Sequence, residues 1–121
     1  METVGVDTEL TADRVAVNQS TFREANEQLE ERADAIGVRI GALPFLCECP
    51  DRACTEIALL DRADYERIRS RGDWFMAVPG HEVCIVDGVQ VAKVVERNET
   101  FTVMEKLGPA KETAQDLDPR A

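Results

Sequence analysis

Three cysteines fall within eight residues, Cys47, Cys49 and Cys54, and the only histidine of the chain, His81, follows Pro79-Gly80 further on. A zinc ion needs about four sulfur or nitrogen ligands, commonly two or more from one tight loop and the rest from a distant segment. Any fold that gathers these residues must bring the 47–54 segment against the 79–81 turn. A Cys-x-Cys pair on a strand points both side chains to one face, and the loop from Pro50 to Ala53 can return Cys54 beneath it. His81 then completes a Cys3His set. Cys84 is the alternative fourth ligand. If residues 82–86 are extended, Cys84 and His81 point to opposite faces, so one ion does not take both. A turn exposes His81, whereas Cys84 sits between Val83 and Ile85 in a run suited to the core. The competing reading is that the four cysteines are buried or free thiols, since Cys is among the residues most often buried.

Such a clip has structural value here. The 121 residues suffice for one domain, but aromatics make up only 5% of them, so the core rests on Val, Leu, Ile and Ala. Small cores leave little net stability, which raises the worth of a metal staple. Acidic residues number 24 against 14 basic ones, a formal charge of -10 that opposes phosphate backbones and anionic membranes. No basic-then-apolar leader follows Met1 and no apolar run approaches a membrane span, so a cytoplasmic protein is expected. In a reducing compartment the cysteines read as metal ligands before disulfides.

Residues 1–10 lack periodicity and are expected to be a flexible start. From Thr11, an N-cap, the chain runs without Gly or Pro to Gly37, a helix terminator. Val15, Phe22, Leu29 and Ile36 recur every seven positions and predict an apolar stripe packed on the domain, with the Glu-rich face in water. A partner helix is the other use of that stripe. Residues 44–49 read as a strand with residues 56–60 as its return, and Asp61 caps a short helix that carries Tyr65 and Ile68 inward. Residues 74–78 form an extended run. Residues 89–96 and 100–105 are two strands of a hairpin around Arg97-Asn98-Glu99. From Gly108 to residue 121 a loose, partly helical tail is expected. The predicted architecture is α+β: one domain over residues 11–107, a long amino-terminal helix on a small antiparallel sheet, one short helix and a zinc-clipped hairpin.

The combination of Asn18, Phe22-Arg23 and Asn26-Glu27 on the first helix, Phe45-Leu46-Cys47-Glu48-Cys49 with Cys54, Tyr65-Glu66, Pro79-Gly80-His81 and Val94-Val95-Glu96 resembles a family of small actinobacterial proteins. The likeness covers roughly residues 14–106. It implies a zinc site at Cys47, Cys49, Cys54 and His81, leaves Cys84 as an extra, and brings no activity with it.

The residues point away from catalysis. A catalytic zinc keeps an open position and a nearby base, whereas here protein can fill all four places. His81-Glu82 belongs to no His-Glu-x-x-His motif, no Pro-Cys-x-x-Cys follows it, and Glu82 reads as a surface acid. The basic cluster Arg62, Arg67, Arg69 and Arg71 is either a solvated helix face balanced by nearby acids or a set of partner contacts. A non-enzymatic protein-interaction or regulatory domain is expected, with a protein partner. The alternatives are a transcription- or nucleic-acid-associated zinc protein, against which the charge argues, and a thiol redox sensor.

Overall fold

A computed structural model describes residues 11–38 and 41–120, so the expected flexible start, residues 1–10, lies outside the described residues. Helix α1 (Ala12–Ala35) begins where Thr11 Oγ1 accepts from the Arg14 N–H at 3.1 Å. It ends at Gly37, whose φ of 86° lets the chain reverse while Gly37 N and Val38 N close on the carbonyls of Asp34 and Ala33. Strands β1 (Ala42–Leu46) and β2 (Ile57–Asp61) pair antiparallel, with Phe45 opposite Ala58. The Asp61 side chain accepts from Asp64 N at 2.8 Å and starts α2 (Arg62–Arg69), which buries Tyr65 and Ile68.

A three-stranded antiparallel sheet follows: β3 (Trp74–Ala77) and β6 (Ala92–Arg97) flank a central β7 (Thr102–Lys106). The small hairpin of β4 (Ile85–Val86) and β5 (Val89–Gln90) stands apart from it. The expected single strand over 89–96 is thus broken at Val91. Its N–H turns to the Cys84 carbonyl and its carbonyl accepts from Leu107 N, which separates the two sheets. One side of the three-stranded sheet carries Met76 and Val103 into a core with Phe45, Leu60, Tyr65 and Ile68, where the Phe45 and Tyr65 rings stack 4.2 Å apart. Its other side carries Phe75, Ala77 and Met104 against Cys47, Cys49 and Ala114. The architecture is α+β with the long helix laid along the sheet system.

Two expectations are corrected. The tail is not loose over its first part: α3 (Pro109–Asp116) packs on α1 with Ala110 and Ala114 buried, and Arg120 binds Glu27, Glu30 and Glu66. Alanines four residues apart in a polar stretch make a shallow contact face that hydrophobic patterning does not announce. Nor does the heptad stripe of α1 face inward along its length. Val15 is buried, but Phe22 is half-buried, Leu29 is 38% exposed and Ile36 is 71% exposed. The buried face is polar instead and carries Gln19, Arg23, Asn26 and Glu30. The physical reason is what α1 packs against, namely loop and strand-end backbone that needs hydrogen bonds. Arg23 illustrates it, donating to the Gly72 and Ala114 carbonyls at 2.7 Å each while its guanidinium lies 4.4 Å from the centre of the Phe75 ring.

The same ring lies near a less comfortable cation. Lys106 is fully buried, its Nζ finds no hydrogen-bond acceptor among the described residues, and it lies 5.6 Å from the Phe75 centroid. Burial lowers its pKa to about 8 from 10.5. Below pH 8 the ammonium is charged in both folded and unfolded chains, and the burial cost is fully present. Above 10.5 the amine is neutral in both and the cost vanishes, so stability rises with pH across that window. Lys106→Met is therefore expected to raise stability at pH 7 by about 2–3 kcal/mol, read from urea midpoints, and to add almost nothing at pH 11.

Candidate metal centre

The four predicted ligands converge. The sulfurs of Cys47, Cys49 and Cys54 and a ring nitrogen of His81 all lie within 4.8 Å of one another. His81 Nδ1 is 3.7 Å from Cys47 Sγ and 3.5 Å from Cys54 Sγ. In a tetrahedral site with metal–sulfur bonds near 2.3 Å and metal–nitrogen bonds near 2.0 Å, sulfur and nitrogen stand roughly 3.5 Å apart. The donor set and its spacing therefore fit a tetrahedral metal ion. Cys84 is not part of this group: it is half-buried against the neighbouring core, and its carbonyl accepts from Val91 N.

Each ligand is placed by a different local device. Cys47 and Cys49 lie just past the end of β1 rather than on it. Cys47 N still donates to Glu56 O, and Glu48 N crosses to Met76 O on β3. An Asp51 side chain accepting from Ala53 N at 2.9 Å tightens the loop that returns Cys54. His81 stands at the last position of a turn in which His81 N donates to Val78 O, Pro79 supplies the fixed φ and Gly80 takes φ 95°. Those are the demands of a type II turn, and Pro-Gly meets both.

The surroundings suit thiolates. Val78 N donates to Cys47 Sγ at 3.1 Å. Hydrogen bonding from Cys47 holds the Cys49 thiol down to about 5, while the same contact, together with burial, drives the Cys47 thiol up. Three thiols this close ionise together only when a cation shares the site, and a bound metal ion would take the place of their protons. Between the two buried cysteines, Glu48 points away into the protein. Its carboxylate accepts from Asn26 Nδ2 at 2.9 Å and Met76 N at 3.1 Å, and burial pushes its pKa up to about 7.

Glu82 corrects its reading as a surface acid. It is half-buried, accepts from Gly80 N at 2.9 Å, and receives Arg97 at 2.9 Å. It thereby braces the turn that presents His81. The signal in the sequence was its place directly after the ligand, which spacing alone could not distinguish from chance.

The arginine cluster is occupied within the chain. Arg62 binds Asp34 and the Val38 carbonyl, and Arg67 grips Glu96 through both terminal nitrogens at 2.7 and 3.0 Å. Arg69 is buried and paired with Asp118 at 2.5 Å and Glu27 at 3.3 Å, so it is not available as a partner contact. Arg71 lies over Trp74 and beside Asp73. Among the described residues no helix is long and apolar enough to cross a membrane. No protein-family model, curated protein or solved structure matches this chain.

Removing an outer brace of a metal ligand commonly costs about 10–100-fold in metal affinity. Glu82→Ala is expected to fall in that range in a competition titration with a chromophoric chelator, with the far-ultraviolet circular dichroism of the metal-loaded protein unchanged.

Proposed function

We propose that this chain is a small non-enzymatic domain in which a structural zinc ion, held by Cys47, Cys49, Cys54 and His81, clips the end of the first hairpin to the turn after β3, and that the stapled domain serves protein interaction or regulation. The carrying observation is the convergence of three sulfurs and one imidazole nitrogen at tetrahedral spacing. Thiolate-rich tetrahedral sites select zinc over hard oxygen-seeking ions. Protein atoms can fill all four places, the arrangement of closed structural sites. The sole histidine is committed to the cluster, so a thiol–imidazole catalytic pair would have to dismantle it.

The environment of the arginines bears on the nucleic-acid alternative. A cluster already neutralised by Asp34, Glu96, Asp118 and Asp73 offers phosphates little, and the overall charge of -10 repels them. The redox-sensor alternative has one observation in its favour. Cys54 and His81 are half-exposed, so an oxidant can reach the site from that side. Release of zinc by mild peroxide at a rate comparable to dedicated sensor thiols would favour it.

The structural reading is tested by metal content and stability together. Anaerobically purified protein is expected to carry about one zinc per chain by elemental analysis. Cys49→Ser should abolish that zinc and Cys84→Ser should leave it in place. His81→Ala should lower the melting temperature, with partial recovery in excess zinc, because binding to the native state raises apparent stability by mass action. A His81→Ala protein with unchanged melting and unchanged zinc would overturn the clip.

A further inference from the structure

The outward face of α1 carries what the core did not use. Arg14, Val17, Asn18, Thr21 and Phe22 join Arg52 of the cysteine loop around a cleft of about 330 Å³. Further along the helix the same face presents Leu29 and Ile36 to solvent. Leu29 follows Phe22 by seven residues and Ile36 follows Leu29 by seven, so all three stay on one side of the helix, with Ala25 between the first two. The stripe is therefore continuous with the cleft.

Its charge is distinctive in an acidic chain. Among the described residues, Arg14, Arg32 and Arg52 are the exposed arginines without an ion pair to a described residue, whereas Arg67, Arg71, Arg97 and Arg120 are all paired. Arg14 and Arg32 are eighteen residues apart, five full helical turns, so they lie on one line along the helix about 27 Å from each other. Cations unpaired among the described residues thus lie before the apolar stripe, at Arg14 and Arg52, and within its second half, at Arg32 between Leu29 and Ile36.

We propose that this face is the docking site for an amphipathic helix of another protein, with an apolar seam over Phe22, Leu29 and Ile36 and carboxylates near its two ends to meet Arg14 with Arg52 and Arg32. Helix-in-groove recognition uses such a seam with rim charges that set register. A second copy of this chain is the poorer occupant. Both copies would carry -10 and repel each other as they approach. The inference rests on the interaction-domain reading and gives it a surface. Its link to the metal is local: Arg52 lies two residues before Cys54, and Asn18 Nδ2 holds the Pro50 carbonyl at 2.8 Å, so one wall of the cleft is the ligand loop itself.

The test uses the full-length, zinc-loaded protein and two synthetic amphipathic helices of roughly 25 residues with a leucine seam, long enough to span both arginines. One carries glutamates in its first and last turns and the other carries lysines there. Fluorescence anisotropy is expected to show the glutamate-ended helix binding at least about tenfold tighter, with the preference shrinking as salt is raised. Leu29→Asp and Ile36→Asp should each abolish binding, and Arg32→Glu should reverse the preference between the two peptides. These positions are exposed, and unchanged melting curves will confirm that each variant is folded. Equal affinity for both peptides, no binding of either, or self-association that Leu29→Asp removes would overturn the proposal. Elemental analysis of the same samples separates the two ideas. A zinc-free preparation that still discriminates between the peptides keeps the docking face and removes the clip, while a zinc-loaded one that does not discriminate overturns the docking face alone.

Discussion

Backbone that runs off the end of a strand must find hydrogen-bond partners elsewhere, and residues 46–50 find them on the side of a helix. Asn26 pairs with Leu46 as a neighbouring strand would, donating to its carbonyl at 2.9 Å and accepting from its N–H at 2.7 Å. Gln19 reaches the Glu48 carbonyl at 3.0 Å, and Asn18 reaches that of Pro50. A buried amide or carbonyl left unpaired costs about 1–3 kcal/mol, so these contacts are conditions of folding rather than ornaments. They hold the stretch that bears Cys47 and Cys49 in place through the protein's own hydrogen bonds. The convergence of the four ligands depends on them. So does the seat of Glu48, whose carboxylate completes the same network between α1 and β3.

That polar seam explains both what could be read from the residues and what could not. The caps at Thr11 and Asp61, the reversal at Gly37 and the hairpin around residue 98 follow from short-range chemistry, in which one side chain or one permitted φ decides the outcome. The clustering of Cys47, Cys49, Cys54 and His81 was legible for a related reason, because three cysteines so close in sequence and a lone histidine in a Pro-Gly turn are the pieces from which a four-donor group is built. The orientation of α1 was not legible. Its heptad of large apolar residues argues for one buried face, and the structure buries the adjacent face because strand-end carbonyls outbid aliphatic contact there. No local pattern in residues 12–35 records that demand, which arises from residues 46–50, 72 and 114. The strand break at Val91 has the same character. Val89, Val91, Val94 and Val95 make the run valine-rich and β-prone, and the competing claims of Cys84 and Leu107 on the Val91 backbone divide it.

Charge follows a parallel logic. The basic residues of α2 and the end of the chain are consumed in joining elements: Arg62 ties α2 to the end of α1, Arg67 ties it to β6, and Arg120 gathers carboxylates from α1 and α2. Glu27 accepts from both Tyr65 and Arg120. The excess of acid in the first helix is thus partly spent inside the fold, although its sign still dominates the surface.

The reach of Arg23 has a consequence for how the chain is made. Its two carbonyl partners, on Gly72 and Ala114, lie 49 and 91 residues further along, and the Glu27 partner Arg120 lies 93 residues along. A ribosome releases α1 well before these partners, so the contacts that let Arg23 and Glu27 leave water form only after residues 72, 114 and 120 have emerged. Until then Arg23 stays hydrated, so the middle of the buried face of α1 offers a charged surface rather than a sticky apolar one to other nascent chains.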